Sequence, residues 1–302
     1  IGEVKRKFFG TLYNTYSFFA LYANIDGFVC DEDEIPVSER PEIDRWIISR
    51  LNSLTQEVDG YYADYEPTKA GRAIQKFVDD HLSNWYVRLC RRRFWKGDYT
   101  EDKIAAYQTL YNCLVTVAQL SSSIAPFFMD RLFVDLESIG NRTAKESVHL
   151  SDFPQAREKL INKDLEERMS IAQNISSMVL SLRKKENIKV RQPLGKIMVP
   201  VLNPQFKLQL QAVEDLILSE VNVKEIEYLD KSSSIFVKTV KPNFKVLGPK
   251  YGRIMKDIAA ALKDLDEKNI ETLEEGNAYV TTIKGEPVSI NLDDVELVTQ
   301  DF

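Results

Sequence analysis

From Ser83 to Trp95 the chain reads Ser-Asn-Trp-Tyr-Val-Arg-Leu-Cys-Arg-Arg-Arg-Phe-Trp, the densest meeting of guanidinium groups and indoles in the sequence. On an α-helix each residue turns by about 100°. That sets Asn84, Arg88, Arg91 and Trp95 on one stripe and Val78, Leu82, Trp85 and Leu89 on another. The second stripe reads as core. The first offers what single-stranded RNA asks of a surface, because arginine forks onto phosphate oxygens and unpaired bases stack on aromatic rings or guanidinium planes. The plainer alternative is a basic helix end whose arginines complement the helix dipole, with Trp85 and Tyr86 serving as packing residues. Charge is unevenly spread. His81 to Gly97 holds five basic residues and no acidic one, although the whole chain has 40 basic and 46 acidic residues and a net charge of −6. A concentrated patch on an acidic body suits one selected polyanion better than diffuse binding.

Arg183-Lys184-Lys185 followed by Lys189 and Arg191 could form a second phosphate-contacting edge, or simply a solvated helix end. Lys245 to Arg253 carries basic residues and two glycines, Gly248 and Gly252. It lacks the spacing of a phosphate-binding loop, so it reads as a structural turn. The two histidines, His81 and His149, belong to no metal-ligating or nucleophilic pattern. Asp79 and Asp80 are adjacent, so on a helix they diverge. Cys30, Cys90 and Cys113 are too widely spaced for a zinc knuckle and read as reduced thiols. No catalytic residue and no metal site is assigned, no apolar run is long enough for a membrane span, and the stretch from Ile1 to Lys7 does not read as a signal peptide, since no apolar run of suitable length follows it. Lacking an initiator Met, the chain reads as a piece of a longer polypeptide.

The elements that must carry these groups are mostly helical. Apolar residues at spacings of three and four run through residues 3–25, from Val4 and Phe8 to Phe19 and Tyr22. Further helices are expected from Pro41 to about Tyr62, from Pro67 to a stop at Gly97, from Asp102 to Ser123, and from Pro126 to Leu136. After residue 150 the pattern changes. One helix over 160–187 is followed by short strand-like runs at 188–194, 196–201, 223–228, 234–240, 278–283 and 286–292, with helices at 206–219 and 251–265. Lys284-Gly285 is expected to turn the last strand pair. The fold class is therefore mainly α: an antiparallel helical bundle over 1–155, then a smaller α+β domain over 156–302.

Several stretches resemble one family. Asp44-Arg45-Trp46-Ile47-Ile48-Ser49-Arg50-Leu51-Asn52 is similar to a helix opening in the anticodon-binding domains of the isoleucine, valine and leucine class I aminoacyl-tRNA synthetases. Leu82 to Arg88 with Arg91-Arg92-Arg93-Phe94-Trp95 resembles the isoleucyl members in particular, as do Ile124-Ala125-Pro126-Phe127-Phe128 and Lys189-Val190-Arg191-Gln192-Pro193-Leu194. Lys241-Pro242-Asn243-Phe244 and Leu247 to Gly252 resemble the eukaryote-like branch, which some bacteria also carry. The resemblance implies a C-terminal, tRNA-binding region of an isoleucyl-tRNA synthetase, docking isoleucine tRNA along stem and anticodon. It implies that Asn84, Arg88, Arg91, Arg92, Trp95, Lys189 and Arg191 face the tRNA, with arginines on phosphates and Trp95 on a base or ribose. The His-Ile-Gly-His and Lys-Met-Ser-Lys-Ser signatures of the catalytic domain do not occur, so ATP with Mg is expected only in a catalytic domain of the same polypeptide, and this chain alone is expected to be inactive and without a cofactor. A cytoplasmic monomer is implied. The competing reading is a helical protein-interaction scaffold whose basic patch docks an acidic partner.

Overall fold

The computed structural model describes residues 2, 5–30, 32–139, 145–201, 203–229, 237–263, 265, 267–274, 276–283 and 285–300. Two compact units are present: residues 1–195 with 208–224, and residues 196–207 with 225–302.

The first unit is a helical bundle. A π-helical turn, Lys5–Phe9, leads into α1, Gly10–Asp26. Leu12, Thr15, Phe19 and Ala23 of α1 are buried, the spacing of three and four that the sequence shows; Val4 lies outside the described residues. The helix α2, Glu42–Ala63, opens after Pro41 and buries Trp46, Ile47, Leu51, Leu54 and Val58. Pro67 then starts α3, Pro67–Lys76, where its missing N–H costs nothing. The chain continues without a break as a π-helix, Phe77–Val87, and returns to α geometry as α4, Arg88–Trp95. Gly97, at φ 82°, turns the chain out of the helix, a backbone setting that glycine adopts without a side-chain clash. Two more helices follow, α5 at Glu101–Ser121 and α6 at Pro126–Glu137. Short connections return the chain between α2, α3 and α5, as an antiparallel bundle requires.

The helix α7, Lys163–Lys185, also packs in this unit, although a division after residue 155 would place it in the second. The reason is Glu166, 8% exposed, whose carboxylate accepts from Ser49 Oγ (2.6 Å), Ser53 Oγ (2.7 Å) and Arg50 Nη1 (3.0 Å) of α2. Burial alone would push that carboxyl up; the bonds from Ser49, Ser53 and Arg50 reverse this and hold it below its ordinary value.

The run at 188–194 is not a strand. Its first six residues form a turn, and β1 spans Leu194–Pro200. The expected helix at 206–219 divides into α8, Pro204–Gln211, and α9, Glu214–Val221. Next comes β2, Val223–Leu229, hydrogen-bonded to β1. In the second unit β3, Val237–Pro242, pairs antiparallel with β6, Val295–Gln300, a strand that the alternation at the chain end did not signal. Residues 234–236 of the expected strand lie outside the described residues. The helices α10 (Phe244–Tyr251), α11 (Met255–Lys263) and α12 (Glu267–Glu274) precede the hairpin of β4, Tyr279–Ile283, and β5, Glu286–Ile290. Lys284 of its expected turn lies outside the described residues, and Gly285 sits at φ 84°. Leu247, Ile258, Leu262, Leu273, Val288 and Ile290 form the core of this unit.

Candidate nucleic-acid interface

Five basic residues stand between His81 and Gly97, but the fold does not spend them alike. Arg93 turns inward. Its Nη1 and Nη2 donate to the two carboxylate oxygens of Asp44, each at 2.8 Å, and its Nε donates to Asp102 Oδ2 at 3.0 Å. Asp44 is fully buried and also accepts from Tyr86 Oη at 2.6 Å. This guanidinium pins the first turns of α2 and α5 to α4, and its pKa is driven up: burial opposes the charge, but the Asp44 bond and the negative groups around it more than compensate. Arg88 is half-committed as well. Its Nη2 lies 2.6 Å from Glu220 Oε1 on α9, and its guanidinium carbon lies 5.8 Å from the centroid of the Trp85 ring.

Arg91 and Arg92 are different. Both are exposed, and among the described residues neither has an acidic group within ion-pair distance. Trp95, at the end of the same helix, is 57% exposed, and Lys96 follows it into solvent. Asn84 is exposed one step earlier. The single stripe of Asn84, Arg88, Arg91 and Trp95 assumed 100° per residue throughout, yet Asn84 lies in the π-helix, where i→i+5 bonding widens the turn. On the core side, Val78, Leu82 and Trp85 are buried as expected, and Leu89 is half-buried.

The second basic segment is held by Arg183, which is neither a phosphate-contacting edge nor part of a solvated helix end. Arg183 is 2% exposed. Its Nη1 donates to the carbonyls of Gln192 (2.9 Å) and Lys189 (3.2 Å), and its Nη2 donates to the carbonyl of Asn222 (2.9 Å). Asn222, at φ 52° just past α9, returns Nδ2 to the Val190 carbonyl at 2.8 Å. Lys189 and Arg191 therefore project from an anchored turn, and both are exposed. The end of α9 joins the two segments: Glu220 grips Arg88, and Asn222, two residues on, grips the turn that carries Lys189 and Arg191. No local pattern could have shown this, since Glu220 lies far along the chain from Arg88 and the pairing exists only once α9 packs.

The third basic candidate, 245–253, is not a phosphate turn. Its first part is α10, with Pro249 inside the helix, and Lys250 Nζ is bound to Asp294 Oδ1 at 2.7 Å. His149 is exposed. Cys90 and Cys113 are buried free thiols, and burial pushes the Cys90 thiol up to about 12. Among the described residues no group of His, Cys, Asp and Glu could hold a metal ion, and no helix is long and apolar enough to cross a membrane.

A surface with two unpaired guanidinium groups, an exposed indole and an anchored basic turn can clamp phosphates and stack bases without doing chemistry on them. Over its whole length the chain is 56% identical to the isoleucine–tRNA ligase of Cytophaga hutchinsonii and 54% identical to that of Bacteroides thetaiotaomicron. It is 38% identical, over 99% of its length, to that of Clostridium acetobutylicum. The chain spans 26–28% of the length of these bacterial relatives. Residues 44–198, just over half of the chain, match the model of the anticodon-binding domain of tRNA ligase. The match runs from the buried carboxylate that holds Arg93 through α7 into β1, and by it the chain belongs to the anticodon-binding domain family of the tRNA ligases.

Proposed function

We propose that this chain is the tRNA-binding, C-terminal part of an isoleucine–tRNA ligase, and that Arg91, Arg92, Trp95, Lys189 and Arg191 contact isoleucine tRNA, with Asn84 and Arg88 beside them. The observation that carries this reading is the division of labour in α4: Arg93 is consumed by Asp44 and Asp102, whereas Arg91 and Arg92 stay exposed next to an exposed indole, with no ion-pair partner among the described residues. A helix end serving only its own stability would not need two uncompensated guanidinium groups beside Trp95. ATP with Mg belongs to the catalytic domain of the same polypeptide, and the ligase works as a monomer in the cytoplasm. Placement in the eukaryote-like branch rests on Lys241-Pro242-Asn243-Phe244 and Leu247 to Gly252; the bacterial relatives lend it no support of their own.

The test is a titration of the chain with isoleucine tRNA and with the same tRNA carrying a swapped anticodon, over a range of salt. Salt-sensitive binding that favours the native anticodon is expected. Equal binding to both would reduce the surface to a backbone dock. No binding to either at moderate salt would overturn the reading in favour of a protein-docking scaffold.

A further inference from the structure

Arg88 stands among the cations expected to meet phosphate, yet a carboxylate already faces it. Glu220 Oε1 of α9 lies 2.6 Å from Arg88 Nη2, and the Glu220 side chain is 11% exposed. Burial pushes this carboxyl above its ordinary value, and Arg88 pulls it back only in part. Among the described residues Arg88 is the one cation within ion-pair distance of Glu220. Glu220 therefore lies within a Debye length, about 8 Å at physiological salt, of any phosphate that Arg88 holds. On charge alone it opposes the binding of a polyanion.

Its setting supports the reverse. Glu220 is a fixed point: Ile217 and Val221 beside it on α9 are fully buried, and just past the helix the Asn222 carbonyl accepts from Arg183 Nη2 of α7 at 2.9 Å. From that anchor Glu220 holds one end of the Arg88 guanidinium, whose carbon lies 5.8 Å from the centroid of the buried Trp85 ring. An arginine ordinarily gives up the freedom of a long side chain when it closes on a ligand; here the carboxylate and the indole restrict it beforehand. The Arg88 side chain is still 40% exposed, and its Nε and Nη1 have no hydrogen-bond or ion-pair partner among the described residues. Those N–H groups form a free donor edge of the kind that forks onto phosphate.

We infer that Glu220 is a positioning residue for RNA: it aims Arg88 so that the free Nε and Nη1 edge receives a backbone phosphate, and this acidic side chain thereby strengthens the binding of a polyanion. The inference rests on the tRNA reading above and assigns a role to a residue outside the basic segments. The competing account is a carboxylate that occupies the guanidinium in place of phosphate and must be displaced. The two accounts differ in sign.

The experiment separates reach from charge. Isoleucine tRNA affinity is measured for the 302-residue chain carrying Glu220→Asp or Glu220→Gln, each with Arg88 present and with Arg88→Ala. Aspartate keeps the charge but is shorter by a methylene; glutamine keeps the reach and an acceptor oxygen without the charge. Glu220→Asp is expected to weaken binding about two- to tenfold, the cost of ordering one long side chain, and Glu220→Gln to stay within about twofold of wild type. Neither should change affinity once Arg88 is Ala. Tighter or unchanged binding by Glu220→Asp would overturn the inference. So would equal weakening by both variants, or weakening that persists with Arg88→Ala, because the effect would then run through charge or through the packing of α9. In each of these cases the wild-type chain still binds and the tRNA reading stands. A wild-type chain that binds no tRNA would overturn both readings together.

Discussion

The guanidinium of Arg93 meets the carboxylate of Asp44 in a two-bond fork, both bonds 2.8 Å long, with Asp44 fully buried. Removing one partner of such a pair leaves an uncompensated charge in the interior, which typically costs about 3–5 kcal/mol. Asp44→Ala is expected to lower stability by about that amount, read from the urea midpoint of the helical unit. The double change Asp44→Ala with Arg93→Met should recover part of the loss, because the stranded cation is then gone.

Arg91 and Arg92 should behave in the opposite way. Replacing both by Ala removes two phosphate contacts and should flatten the dependence of log affinity on log salt by about 1.4–1.8 for isoleucine tRNA. Stability should stay within about 0.5 kcal/mol, since both side chains are exposed and neither has an ion-pair partner among the described residues. An unchanged salt slope in the titration would rule out their role as phosphate ligands.

Burial, with Arg50 and Lys76 nearby, lowers the pKa of His81 from 6.5 to about 4. Between those values the unfolded chain binds a proton that the folded chain excludes, so the contribution is complete above 6.5 and is lost as pH falls towards 4. The loss should reach about 2 kcal/mol at pH 5. His81→Asn should remove this part of the acid sensitivity. Comparing urea midpoints at pH 7 and pH 5 for the two proteins checks it, and parallel losses would sink the assignment to His81.

Arg183 bonds three backbone carbonyls that fix the turn bearing Lys189 and Arg191. Arg183→Met should free that turn. Amide exchange at Gln192 and Leu194, whose N–H groups donate to Lys189 and Asn222 carbonyls, should quicken by at least tenfold if about 1.5 kcal/mol of local stability is lost. Arg191→Ala, by contrast, should leave exchange there unchanged while weakening tRNA binding.

Much of this was legible in the residue order. Apolar spacing placed α2, α5, α6 and α7 to within a few residues, and α1 once its leading π-helical turn is counted, because burial of one helix face leaves a periodic trace, and Pro41, Pro67 and Pro126 marked the starts through their fixed φ. The cluster of Arg and Trp at 88–95 was visible as composition. The sequence by itself thus determined a helical bundle with a basic, aromatic segment at a helix end. Only the tertiary structure decided which of those cations are free. Arg93 and Arg91 are neighbours of one residue type, yet Asp44 arrives beside one of them from 49 residues away and leaves the other to solvent. The π geometry of 77–87, the capture of α7 by Ser49 and Ser53 through Glu166, and the grip of Glu220 and Asn222 on both basic segments are likewise long-range. Periodicity records which face of an element is buried; it does not record which distant charge will be packed against it, and that pairing sets what remains at the surface to bind.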